Sequence, residues 1–177
     1  MAPRIYGLMA EFDDATALVQ AAERTHAAGY KRVDAYSPFP IEELHHALGA
    51  PASKLPLIVL LGGIAGGIGG YSLEYWVSAI AYPVNVGGRP LNSWPAFIPV
   101  TFESTILIAA LSAVLGMLAL NGLPMPYHPV FNVDRFALAS RSRFFLCIEA
   151  ADRKFDPEGT RQFLESLGPR EVSTVAP

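Results

Sequence analysis

Two kinds of residue stand where they could do chemistry or recognition: carboxyls inside apolar runs, and glycines at helical spacing. Glu103 lies within an apolar run at 97–120, with Thr101, Ser104 and Thr105 beside it. A carboxyl at that depth in hydrocarbon is costly unless it is paired, neutral or wet. It is therefore a candidate protonatable station or a polar anchor to a neighbouring subunit; the plainer reading is a protonated carboxyl packed against the chain's other apolar run. Glu74 is surrounded by Tyr71, Tyr75, Trp76 and Tyr82, an aromatic belt of the kind that marks a membrane surface, and reads as an interfacial carboxylate. Gly62, Gly66 and Gly70 fall every fourth residue, as do Gly63 and Gly67. They leave one helical face nearly free of side chains, where a partner's helix or the chain's own second run can approach closely. The run is not a phosphate loop, because no Lys-Ser or Lys-Thr ends it and no soluble strand precedes it.

Other chemistry finds little support. His45 and His46 are adjacent, so on a helix they point about 100° apart and miss the spacing of a metal pair, and His26 and His128 lie in unrelated segments. No Ser or Asp stands in an arrangement that pairs a nucleophile with a base. Cys147 is the only cysteine, which excludes an internal disulfide, a Cys-x-x-Cys-His haem attachment and a multi-cysteine zinc or iron–sulfur site. In a Phe- and Leu-rich strand it reads as a small buried apolar residue. A net charge of −3 and scattered Lys and Arg residues give no footprint for nucleic acid.

The elements that must hold these residues begin with the two apolar runs. Residues 55–82 contain no Lys, Arg, Asp or His and a single carboxylate; residues 97–120 repeat the pattern, with Pro95 and Pro99 near the start, where a missing backbone donor costs least. Each run is long enough to cross a hydrocarbon layer about 30 Å thick. Unpaired backbone is so costly in lipid that the Pro- and Gly-rich loop 83–96 belongs beyond the far headgroups, which makes a transmembrane hairpin with both flanking arms on one side. Lys54 before the first span and Arg135, Arg141 and Arg143 after the second outweigh Arg89 in the loop, so both termini are expected in the cytoplasm. The start, Met1-Ala-Pro-Arg-Ile-Tyr, shows no removable signal pattern.

The arms, 1–54 and 123–177, are each too small for a comfortable core and together make one ordinary domain. The first reads as a strand at 4–12, a helix opened by Asp13 and closed by Gly29, a strand at 30–36 and a short helix at 41–48. The second opens with a stretch at 132–140 that fits a short helix or a strand, the helix being preferred, followed by a strand at 144–150, a helix opened by Asp156-Pro157 and stopped by Gly168, and a last strand at 171–175. Strand, helix, strand occurs twice. The expected architecture is an α+β membrane protein: a two-helix transmembrane hairpin inserted between the halves of a ferredoxin-like βαβ-βαβ cytoplasmic domain.

Particular strings then carry more than periodicity. Tyr36-Ser-Pro-Phe-Pro-Ile-Glu before the first span, Gly87-Gly-Arg-Pro-Leu-Asn-Ser-Trp-Pro-Ala-Phe-Ile-Pro-Val-Thr-Phe-Glu across the loop, and Phe144-Phe-Leu-Cys-Ile-Glu-Ala with Phe155-Asp-Pro-Glu after it resemble the ActD family of bacterial alternative complex III. The resemblance runs over nearly the whole chain. It implies a non-catalytic accessory subunit of a quinol-oxidising electron-transfer complex in the bacterial inner membrane. It also implies quinol-reactive integral membrane subunits, multihaem and monohaem cytochrome c subunits and an iron–sulfur subunit as partners. Haem c, iron–sulfur clusters and quinol would then reside in those partners, and no cofactor or catalytic residue carries over to this chain. Two other readings stay open: a membrane-anchored sensor with a pocket between the domain halves, and a small ion-conducting oligomer using Glu103.

Overall fold

A computed structural model describes residues 5–177, which form two compact units. One comprises the chain up to Pro51 together with Pro126–Pro177, the other Ala52–Met125.

The first unit is built on β1 (Gly7–Phe12), all six of whose residues are buried. Arg4, expected to open this strand, lies outside the described residues. β1 is flanked by β3 (Phe144–Glu149) and β4 (Glu171–Val175), and β2 (Val33–Tyr36) completes a four-stranded sheet of order β2-β3-β1-β4 in which every pairing is antiparallel. Side chains alternate between the two faces of a strand. In the register Leu8↔Ile148, Ala10↔Leu146 and Phe12↔Phe144, one face is apolar. It is covered by Leu18, Ala21 and Ala22 of α1 (Ala15–Ala27) and Leu164 of α5 (Pro157–Ser166). Met9, Phe145 and Cys147 point the other way, onto Val130, Phe136 and Ala139.

These last residues come from two 3₁₀ turns, Pro129–Asn132 and Asp134–Ser140, and over 132–140 the sequence pattern favours a short helix over a strand. The tighter coil has a physical reason: at three residues per turn Phe136 and Ala139 stack on one side and are buried against the sheet, with Val133, the extended residue between the two turns, packed beside them.

Local chemistry sets the other boundaries. Asp14, and not Asp13, opens α1, its side chain accepting from the Ala17 N–H at 2.8 Å; Asp13 faces Arg143 and Arg170 instead. Gly29, at φ 91°, turns the chain out of the helix. β2 begins at Val33 because the N–H groups of Lys31 and Arg32 both donate to the Asp152 carboxylate, at 2.7 Å each, and are lost to the sheet ladder. The short helix α2 (Glu42–Ala47) carries Glu42 and Glu43 in its first turn. Asp156 caps α5 by accepting from the Gly159 N–H at 2.7 Å, with Pro157 next to it.

The second unit is a helical hairpin. α3 (Leu55–Tyr75) continues into a π-helical turn, Trp76–Ala81, and α4 spans Trp94–Leu120. Each continuous helix has 27 residues and is apolar enough to cross a membrane. α4 starts three residues before the expected 97, so Pro95 sits in its first turn but Pro99 falls inside the helix. Pro99 has no N–H, and the Pro95 carbonyl receives no helical bond from it. The loop is held locally by the Asn85 side chain, which accepts from the Gly88 N–H at 3.1 Å, and is tied to α3 by the Tyr71 hydroxyl, which donates to Asn92 at 3.1 Å.

Candidate functional site

The glycine face of α3 lies against α4. A Cβ at Gly66 would stand 2.5 Å from the Ser104 carbonyl oxygen and 2.9 Å from the Ile108 Cβ, and one at Gly70 would stand 2.8 Å from the Ser104 side chain. At Gly67 it would meet Thr105 Oγ1 at 2.9 Å, and at Gly62 the Ser112 side chain. Gly63 is looser, its Cβ position 3.6 Å from the Ala109 Cβ. All five glycines therefore serve contact within the hairpin, where missing side chains let two backbones come close. α4 answers with its own small residues, Ser104, Thr105, Ala109, Ser112 and Gly116, the last meeting Ile58 and Leu55. Their recurrence at three and four residues is the available signal that the second run, too, has a contact face.

The two carboxyls of the spans are treated differently. Glu74, read as interfacial, is half-buried between the helices and accepts a hydrogen bond from Thr101 Oγ1 at 3.3 Å. Thr101 also anchors the neighbouring turn, its carbonyl accepting from Thr105 Oγ1 at 2.7 Å. Glu103 is exposed on the surface of α4, and among the described residues its carboxyl has no partner within the chain. It is not packed against the first span. Thr101, Ser104 and Ile108 face α3, and at about 100° per residue Glu103 stands on the far side of α4 from them.

The aqueous unit holds a polar cluster that no sequence pattern announces. Glu11 is 3% exposed and accepts two hydrogen bonds from Arg135, at 2.5 Å from Nε and 2.6 Å from Nη2. Arg143 lies 3.6 Å from Glu11 and pairs with Asp13, while Arg135 also approaches Glu171 at 3.5 Å. The cluster joins β1, β4 and the 3₁₀ segment. Hydrogen bonding to Arg135 holds the Glu11 carboxyl below its usual 4.5, with the nearby Arg charges opposing the effect of burial. A carboxyl lowered in the folded state contributes stability that is present above its unfolded value and is lost as pH falls through the folded one. Amide-exchange protection of β1 and β3 is expected to weaken as pH drops below about 4.5, and Glu11→Gln to flatten that loss while costing about 2 kcal/mol at neutral pH. Asp152 shares the sign, because bonds from Lys154, Arg32 and Lys31 outweigh its burial; Asp34, raised by burial, has the opposite one. Comparison of parent and variant isolates Glu11. An unchanged acid profile in Glu11→Gln would show that the cluster does not govern it.

An open recess of about 510 Å³ lies between the two arms of this unit, lined by Tyr36 and Ser37 from the first and His128, Val130, Phe136 and Ser140 from the second. Both ring nitrogens of His128 are engaged, Nδ1 by the Val130 N–H at 3.4 Å and Nε2 by the Tyr6 hydroxyl at 3.4 Å. Among the described residues no three His, Cys, Asp or Glu side chains gather as metal ligands would. Cys147 is buried in β3, and burial pushes its thiol up to about 12.

The family model described as alternative complex III, ActD subunit, aligns with residues 6–174 of the chain. No curated protein matches the chain.

Proposed function

The chain belongs to the ActD family of alternative complex III subunits, and from that premise we propose that it is a non-catalytic accessory subunit, a membrane hairpin carrying one split aqueous domain. The observation that carries this reading is the pairing of β1 with β3 and β4 across the intervening hairpin. Strands cannot pair through a hydrocarbon layer, so a hairpin that spans the bilayer must return both arms to one side. The basic residues flanking the spans favour the cytoplasmic side of a bacterial inner membrane. The strand order β2-β3-β1-β4, with α1 and α5 on one face, supports a ferredoxin-like domain.

In this reading the redox chemistry belongs to the partners: quinol-reactive integral subunits, multihaem and monohaem cytochromes c and an iron–sulfur subunit. Haem c, iron–sulfur clusters and quinol would be held there. This chain contributes assembly, and proton handling through its exposed Glu103 is the competing use of that group. The recess between the arms favours a second reading, a ligand-sensing domain tethered to the membrane.

Purification of the tagged chain in mild detergent tests the proposal. It should bring down a haem c-containing complex, and the complex assembled without the chain should keep its quinol turnover per haem while losing heat stability. A chain recovered alone with a bound small molecule would support the sensor, a homo-oligomer the conductor, and turnover abolished in an otherwise complete complex would make the subunit catalytic.

A further inference from the structure

Glu103 and Glu74 sit at similar distances from the loop end of the hairpin, yet the chain gives a partner only to Glu74. Glu103 is nine residues from Trp94 in a helix of 27, which at 1.5 Å per residue is about 13 Å along an axis of about 40 Å; centred in a hydrocarbon layer of about 30 Å, it lies about 8 Å below the boundary. Its short side chain lacks the long stem by which Lys or Arg reaches the headgroups. The side chains that flank the carboxyl on the same side of α4, three and four residues away, are the exposed apolar residues Val100, Ile106 and Leu107. Facing lipid, this group would be an uncompensated carboxyl in hydrocarbon.

We infer that the Glu103 face of α4 seats a transmembrane helix of another subunit, and that this helix carries a basic side chain paired with Glu103. Charge complementarity and the membrane placement of the hairpin both lead to this occupant. A second copy of this chain cannot take its place, because neither α3 with its continuation nor α4 contains a Lys, Arg or His. Two copies would set carboxyl against carboxyl.

The test uses the complete complex. Retention of the chain after dilution in mild detergent is compared for the parent, Glu103→Gln, Glu103→Leu and Glu103→Lys. A photo-crosslinking residue at Leu107, one turn along the same face, captures the neighbour. The hairpin itself should persist in all three variants, since the side chain points away from α3. Retention should fall in the order parent, Gln, Leu, Lys, with a loss of about tenfold or more for Leu. The captured peptide should be an apolar segment containing Lys, Arg or His. Full retention of Gln overturns the charge pairing, and full retention of Leu or capture of lipid alone overturns the docking face. Capture of a second copy overturns the choice of occupant, and a Gln variant that assembles normally but turns over slowly makes Glu103 a proton station instead. If the chain proves to have no haem-containing partners yet captures a basic transmembrane segment from another protein, the inference stands and the assignment to the complex fails.

Discussion

Gly66→Leu should open the hairpin. The Cβ alone would stand 2.5 Å from the Ser104 carbonyl oxygen, which belongs to backbone and cannot swing aside, and 2.9 Å from the Ile108 Cβ. The rest of the leucine would have to enter a contact where Gly63, Gly66 and Gly70 are already buried. Overpacking of this kind costs about 1–3 kcal/mol even where a core can adjust. In lipid it is not offset by a hydrophobic drive between helices, since the tails are as apolar as the helices themselves. The positions of Gly63 and Ala109 supply the gauge, because their Cβ atoms would be 3.6 Å apart, inside the usual range for a disulfide of about 3.5–4.5 Å. A Gly63→Cys, Ala109→Cys pair should cross-link nearly completely in the parent and fall to background when Gly66→Leu is added. Gly69→Leu is the control, since a Cβ there meets nothing within 4 Å. Equal cross-linking in the two leucine variants would mean that the glycine face is not the contact between the spans.

What can be read from the sequence divides along the range of the interactions involved. The two long helices are legible because each carries a long apolar run with a single carboxyl, although the start of the second is read at 97 and lies at Trp94, and the caps at Asp156 and Gly168 are legible because each acts within a turn of its helix. The start of β2 is not legible because Asp152, which takes the N–H groups of Lys31 and Arg32, is distant along the chain. The same holds for Glu11, whose partner Arg135 lies across the hairpin, so that no periodicity marks the pair. The 3₁₀ segment Asp134–Ser140 is ambiguous for a different reason: so short a stretch fits a helix or a strand, and the sheet face beneath it selects the coil. Of the candidate site, the glycines and Glu103 stand out by type and spacing. Their directions do not, since periodicity fixes which residues share a face but not what that face meets.

In the proposed topology the two arms meet as one domain on one side of a membrane while the loop faces the other. The strand pairing makes this an all-or-none matter. β1 is in register with β3 over Gly7↔Glu149 to Phe12↔Phe144 and with β4 over Gly7↔Val175 to Glu11↔Glu171, so the first arm cannot lie across the bilayer from the second without dismantling the sheet. Single cysteines placed at Glu23, Arg89 and Glu158 report on the first arm, the loop and the second arm, and all three positions are exposed. Cys147 supplies an unreactive background because it is buried and its thiol is held far from the thiolate form. A membrane-impermeant maleimide added to intact cells should label the cysteine at 89 and neither of the others, and permeabilisation should expose 23 and 158 together. Labelling of 23 and 158 from opposite sides of the membrane would contradict this topology.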